Sequence, residues 1–526
     1  MSDSAMLSSD TVETAKKHTR WWFGTKLSLV VWAVLGIFLI GYGFVAVDSA
    51  TTVSPSLNKS ENQLGQIDYL IEQARNDVST VGSLESEHMS PIWVRTIENI
   101  HSSQYVNGED AIITTNRHYI SMSDGQRERL SLHMILGLAL MGFGFFQFWP
   151  AFRRRYRKAH RLMGGGYILA GFTSMAMSGS HLLTNEISDI YGEYVFYTGL
   201  WVMLVIAVFG MSAAIYAIFR RNIAAHLGWQ ALAFGTFLTA PLQRTYWIGM
   251  SPFAGDATFN EMNMLVNVSL FAQAFLAAYA LFYINRTSSP VRGAMRDHSG
   301  IVEAGSTTRI LGYAITAIAA VFLLNLYVFS PGFAASDFGS YMVPAGAAAW
   351  HDEVITASAL SYVLVLAVMI QLVVGMRLFL ASEQGVRTQT LAPTVIVAGG
   401  VISGGILISW GYQLGMPRHE ISLAGVFYFY AGILQWLLGG FFAAQVWRQQ
   451  LGKMREALCL VLGMAMAPAI MALGLWGMAM ADTMPAIYRE TGHGYLAAAS
   501  LGLFLPITVG HLYAMFSAET KRYAVN

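Results

Sequence analysis

Four histidines set in apolar sequence are the residues best placed to do chemistry in a low-dielectric setting: His133, His160, His181 and His226. A neutral imidazole carries one N–H donor and one lone pair, so it can ligate a metal, take a proton or hold a polar partner. His133 and Gly137 are four residues apart, as are His160 and Gly164, and Tyr167 follows Gly164 by three, so each set shares a helical face. Trp229 stands three residues after His226, and Arg244 lies near the far end of the same apolar run. A glycine beside a histidine lets a flat group or another backbone come close. Gly164, Gly165 and Gly166 each cost roughly 1 kcal/mol of helix propensity against alanine, so close packing is the expected reason for them.

These side chains need a bilayer around them. Of 526 residues 55% are hydrophobic and 12% charged, outside the range of soluble proteins. Apolar runs of about 20 residues, long enough to cross roughly 30 Å of hydrocarbon as helix, occur about twelve times. The expected fold is all-α, a polytopic transmembrane helical bundle of about 12 spans with a small helical extracytoplasmic insert. The expected division is a tail over 1–26, a retained first anchor over 27–47, an extracytoplasmic segment over 48–128 and a five-span, histidine-bearing bundle over 129–285. A linker rich in Ser, Gly and Pro over 286–308 then leads to a six-span second bundle over 309–516 and a tail over 517–526. The 48–128 segment reads as a cap over the bundle rather than a sensor pocket. No convincing sequence repeat joins the two halves, and no pair of interrupted helices stands out.

Basic residues collect in alternate connections, among them Arg153 to Arg161, Arg220 with Arg221, Arg286 to Arg296, and Arg448 to Arg455. The positive-inside rule puts these connections and both termini in the cytoplasm, with the bundle in the inner (plasma) membrane. A net charge of +1 gives no reason to expect nucleic acid as a partner, and the lone Cys459 excludes disulfides within the chain. There is no Gly-rich phosphate loop, nucleophile elbow or tightly spaced zinc motif, so soluble-type catalysis is poorly supported.

With this topology the histidines pair by depth, His133 with His181 at the outer boundary and His160 with His226 at the inner one. Two imidazoles from different helices at one depth are what bis-histidine ligation of haem b requires. His160 and His181 are 21 residues apart on one helix, about 31 Å at 1.5 Å per residue, so they cannot share a ligand. The alternative is that all four are interfacial and hydrogen-bond to loops or helix ends. Arg244 is expected to pair with Glu261 or Asp256. In the second half, His351 with Asp352 and Glu353, His419 with Glu420, and His493 all fall at the outer side without metal-motif spacing, and His511 lies deep and alone.

His133, Gln147, Phe148, Arg154, His160, Arg161, Gly164, Tyr167, His226, Trp229 and Arg244 together resemble the bacterial membrane family termed domain of unknown function 2306, over about residues 130–250. The chain departs from that pattern at Gln230, where the family carries methionine, and in its outer insert and long second half. The resemblance implies a fold more than an activity, and the likeness of such a bundle to b-type cytochromes is fold-level analogy. The leading expectation is a haem b-binding electron-transfer component with a membrane redox partner or quinone. The alternative is a non-enzymatic transporter or sensor-like protein in the lipid bilayer.

Overall fold

The computed structural model describes residues 26–58, 63–75, 92–98, 100–101, 105–106, 111–190, 192–253, 257–288, 304–329, 332, 345–356, 358–415, 423–482 and 484–523, and every regular element among them is helical. The first half runs α1 (Lys26–Val53), α2 (Gln63–Arg75), α3 (Ile92–Glu98), α4 (Ile112–Ser121), α5 (Asp124–Phe148), α6 (Pro150–Arg155), α7 (Arg157–Thr184), α8 (Glu193–Phe219), α9 (Ile223–Phe237), α10 (Thr239–Met250) and α11 (Phe259–Ser288). The second half runs α12 (Ser306–Leu324) with a π-helical turn over Asn325–Phe329, then α13 (Ala345–Thr356), α14 (Leu360–Leu380), α15 (Glu383–Thr388), α16 (Ala392–Leu414), α17 (Leu423–Trp447), α18 (Leu451–Ala465), α19 (Ala467–Ala481), α20 (Ala486–Glu490) and α21 (His493–Tyr523). The N-terminal tail, most of the 286–308 linker, Asp256, His419 and Glu420 lie outside the described residues.

Nine helices among these residues are long and apolar enough to cross a membrane, or ten if α18 and α19, bent by 53° at their junction, count as one span. The protein is an integral membrane protein of the all-α, multi-pass class. The count falls short of the expected twelve for two local reasons. α7 has 28 residues, about 42 Å, but its basic first turn, three glycines and several serines dilute its apolar character. The apolar run over 225–246 is not one helix: it breaks at Leu238 between α9 and α10, where Pro241 has no N–H to continue the ladder. Both segments still run between their neighbours, and the described basic connections fall at one end of the bundle.

The halves share one architecture although no convincing sequence repeat joins them. Each has a long first helix, an insert, a second long helix, a six-residue helix (α6 and α15), two more long helices, a broken helix and a closing helix. The match extends to the backbone. α9 and α18 both have 15 residues and break at a residue with helical angles, Leu238 and Met466. Both follow a turn that starts at a non-glycine residue with positive φ, Arg221 at 56° and Gln449 at 54°. In that turn Asn222 N donates to the Ala217 carbonyl at 2.8 Å, and Gln450 N donates to the Gln445 carbonyl at 3.1 Å.

The two closing helices, α11 and α21, pack together at the centre. The apolar window of α11 is 78% buried, against 28% for α1 and α5, which face outward. His511 on α21 donates its Nε2–H to the Gly228 carbonyl on α9 at 3.0 Å, and a Cβ on Gly228 would stand 2.5 Å from Met515. At the basic end Arg286, closing α11, makes a bidentate ion pair with Glu456 on α18 at 2.8 and 2.6 Å, both side chains buried. At the opposite end the described helices between α1 and α5 pack over the bundle. Trp93 of α3 packs against Trp247 of α10 with ring centroids 5.0 Å apart, and Arg127 of α5 donates to the Val53 carbonyl at 2.9 Å.

Candidate functional site

The first half encloses a cavity of about 230 Å³ at the capped end. α1 contributes Tyr42 to its wall, α4 Tyr119, α5 His133 and Gly137, α7 Ser174 and His181, and the broken helix Thr239 and Arg244. The break at Leu238 shapes it: α10 begins there, so its first turn, with Thr239 and Ala240, lies against the cavity.

The two histidines present opposite faces of imidazole chemistry. His133 Nδ1 lies 3.0 Å from the Ser174 carbonyl, which can only accept, so Nδ1 carries the proton and Nε2 the lone pair. The Ser174 hydroxyl lies 2.9 Å from the same nitrogen. Asn185 decides the other ring. Its Nδ2 donates to the His181 carbonyl at 2.6 Å, which orients the amide, and also to His181 Nδ1 at 3.0 Å. His181 Nδ1 is therefore an acceptor and its Nε2 bears the proton. Asn185 Oδ1 accepts from His118 Nε2 at 2.7 Å, and His118 Nδ1 faces Asp189 at 3.4 Å.

Arg244 supplies the charge. Its guanidinium lies over Trp247 at 4.8 Å and Trp93 at 5.7 Å, donates to Gln243 Oε1 at 2.7 Å, and is within electrostatic reach of Tyr42, Tyr119 and His133. It makes no ion pair with a described carboxylate. The expected pairing with Glu261 does not occur because Glu261 accepts from its own helix start, Thr258 N, at 2.7 Å; Asp256 lies outside the described residues.

The other predicted residues divide between packing and a second, closed pair. His160 and His226 are brought within electrostatic reach of each other near Arg153. His226 donates Nδ1–H to the Ala214 carbonyl at 3.0 Å. The space beside Gly164 is taken by Gln147, whose Oε1 would stand 3.2 Å from a Cβ there and whose Nε2 donates to the His160 carbonyl at 3.0 Å. Tyr167 is 1% exposed, between Phe234 and Phe237, with the Gln230 amide beside its hydroxyl. Trp229 packs edge-on to Phe209 and Phe516, away from the cavity. Gly137 lines the cavity, but a Cβ there would meet Ala46 at an ordinary 3.6 Å; close approach is required instead at Gly144, 2.1 Å from the Phe234 ring. Tyr42, Tyr119, Ser174, Asn185 and His118 were not singled out from sequence, and only Asn185, one helical turn after His181, carried a local signal.

Among the described residues no group of three or more His, Cys, Asp or Glu could hold a metal ion. A family description, a predicted membrane protein of domain of unknown function 2306, matches residues 130–283, from within α5 to the last turns of α11. The likeness therefore runs past the 250 expected from the motif residues and covers much of the cavity wall, with Tyr42 and Tyr119 lying before it. No curated protein and no solved structure matches the chain.

Proposed function

We propose that the protein is a membrane transporter, or a sensor built on a transporter-like frame, whose capped cavity takes a small single-ring or short-chain monoanion. The observation that carries this reading is Arg244, a cation on the cavity wall with aromatic neighbours and, among the described residues, no carboxylate to balance it. A charge held in such a place is costly unless paired, and an anionic ligand supplies the partner. The α10 first turn adds positive potential, His181 Nε2–H adds a donor, and His133 Nε2 accepts from a hydroxyl or N–H on the ligand. The volume, about one and a half times that of an engineered 150 Å³ cavity that holds benzene, suits one ring.

The paired breaks at Leu238 and Met466 support the transporter class. Interrupted helices at corresponding places in two repeats are the best pointer to a transport site, and halves that share a direction are related by an axis along the membrane normal. In this reading the basic end and both termini face the cytoplasm of the inner membrane, and the cap faces outward.

Benzoate is the probe. Purified protein in detergent is expected to gain thermal stability with benzoate and not with benzyl alcohol, the neutral counterpart. Arg244→Gln removes a charge-assisted bond of about 1.5–3 kcal/mol, so affinity is expected to fall about 10- to 100-fold. Equal stabilisation by the acid and the alcohol, or full affinity in the Arg244→Gln protein, would overturn the reading.

A second reading, haem b with a role in electron transfer to a membrane redox partner or quinone, is favoured by one observation. Nδ1–H of His133 is held by a carbonyl, as that of a metal-ligating histidine usually is, leaving the Nε2 lone pair available. His181 does not fit as the second ligand while Asn185 holds its tautomer, and the cavity is small for a macrocycle. Protein produced with haem supplied would show a Soret band that His133→Ala abolishes if this second reading holds; a colourless folded preparation removes it.

A further inference from the structure

The second repeat carries a cluster of ionisable side chains at the end of the bundle where the first carries its cavity. The two sites share that end because His493, opening α21, lies 3.6 Å from Glu193, opening α8. The cluster centres on His351 of α13, a 12-residue helix too short to span that stands between the first two long helices of its repeat, as α4 does in the first. His351 is 2% exposed. Its Nε2 lies 2.9 Å from the Tyr428 hydroxyl on α17 and 3.5 Å from the Tyr495 hydroxyl on α21. Its Nδ1 faces Asp352 Oδ1 at 3.5 Å, within ion-pair range. Tyr428 continues to the Tyr327 hydroxyl in the π-helical turn at 3.3 Å, and Trp410 of α16 stacks on Tyr327 with centroids 5.8 Å apart.

Donors and acceptors in this chain have a direction. Asp352 favours the proton on Nδ1, so Nε2 accepts from Tyr428 and the Tyr428 oxygen is left to accept from Tyr327. All three phenols can reverse this order, because a hydroxyl hydrogen rotates at little cost. A second proton on His351 would then meet a carboxylate at Nδ1 and two phenol oxygens at Nε2. Burial alone holds the His351 imidazole below its usual range, with Asp352 acting against that effect. Asp352, with its side chain 15% exposed, is the member of the pair nearer to solvent.

We propose that His351, Asp352, Tyr428, Tyr495 and Tyr327 form a proton-binding site of the second repeat, with Asp352 as its counter-charge and its door to the solvent. Uptake is of one proton: neutral His351 becomes an imidazolium paired with Asp352, and no bond other than N–H forms. Among the described residues the groups that face His351 are Asp352 from its own helix, Tyr428 from α17 and Tyr495 from α21, with Tyr327 behind Tyr428. α21 ties the site to the first repeat through its packing on α11 and the His493–Glu193 approach, so a proton bound here is placed to bias the fit between the halves. The site stands whatever ligand the first cavity takes.

Full-length protein labelled with ring-15N histidine and reconstituted in nanodiscs gives the test. One resonance is expected to vanish in His351→Gln and, in wild type, to titrate on acidification with a midpoint below that of exposed histidines. Asp352→Asn is expected to move that midpoint down by at least about one pH unit, the usual effect of removing an adjacent opposite charge. If His351→Gln does not fold, Asp352→Asn identifies the resonance as the one that shifts. A His351 resonance that stays neutral from pH 8 to pH 4 in folded protein, or no histidine midpoint that responds to Asp352→Asn, overturns the proposal.

Discussion

Replacing Glu456 with glutamine is expected to destabilise the protein by about 3–5 kcal/mol, the usual result of leaving one partner of a buried ion pair uncompensated. Arg286 and Glu456 are 6% and 2% exposed and joined by two charge-assisted hydrogen bonds. Arg286 also lies over Phe282 at 5.2 Å, so it cannot follow a lost partner to water without giving up that packing. Because one residue closes α11 and the other sits on α18, the pair joins the two repeats at the basic end, and the loss should appear as separation of the halves. Reversible unfolding of single and double variants in one detergent checks this. The double change Arg286→Met with Glu456→Leu is expected to recover much of the stability, since an apolar pair of similar size often replaces a buried ion pair at no cost. A single change costing less than about 1 kcal/mol, or a double no better than the singles, would contradict this account.

Gly432→Ala is expected to cost about 3 kcal/mol, the upper part of the usual range for overpacking. α16 and α17 meet through glycines spaced seven apart on both helices, Gly404 and Gly411 against Gly425 and Gly432. A Cβ on Gly432 would stand 2.5 Å from the Gly404 carbonyl oxygen and 2.9 Å from Ile408 N, and one on Gly411 would stand 2.5 Å from Phe429 N. Backbone atoms cannot turn aside as a side chain can, so the helices themselves must part. In lipid no hydrophobic force pushes them back together, and close packing of small residues is what holds such pairs. Gly440→Ala is the control: a Cβ there meets nothing within 4 Å, and unchanged or slightly raised stability is expected. Equal losses at positions 432 and 440 would show that helix propensity or lipid contact, not this interface, sets the cost.

The histidine pairing shows how far residue types reach. Spacing along α7 was enough to separate His160 from His181; the structure places His133 and His181 on the wall of one cavity and His226 within electrostatic reach of His160. Spacing was no guide to glycine. Gly137 and Gly164 share faces with histidines, yet one has ordinary room and the other faces Gln147, while Gly144 is where the bundle needs the missing side chain.

The repeat lay out of reach for a related reason. What the halves have in common is backbone: a turn starting at positive φ, a 15-residue helix, and a break at a residue with helical angles. Arginine fills the turn in one half and glutamine in the other, so alignment of residue types finds little. The bias against an interrupted helix near 238 came from its unbroken apolar character, which a bilayer rewards whether or not the hydrogen-bond ladder is continuous.

Composition and order alone sufficed for the membrane class, the multi-pass character and the helical content. All of these follow from transfer free energy and from helical rise, which act on each segment separately. Which ring nitrogen of His133 or His181 bears a proton, whether Arg244 meets Glu261, and which glycines admit another backbone were settled only by the folded arrangement. Those properties belong to pairs of groups, and their partners come from other helices: Ser174 is 41 residues from His133, and Glu456 is 170 residues from Arg286.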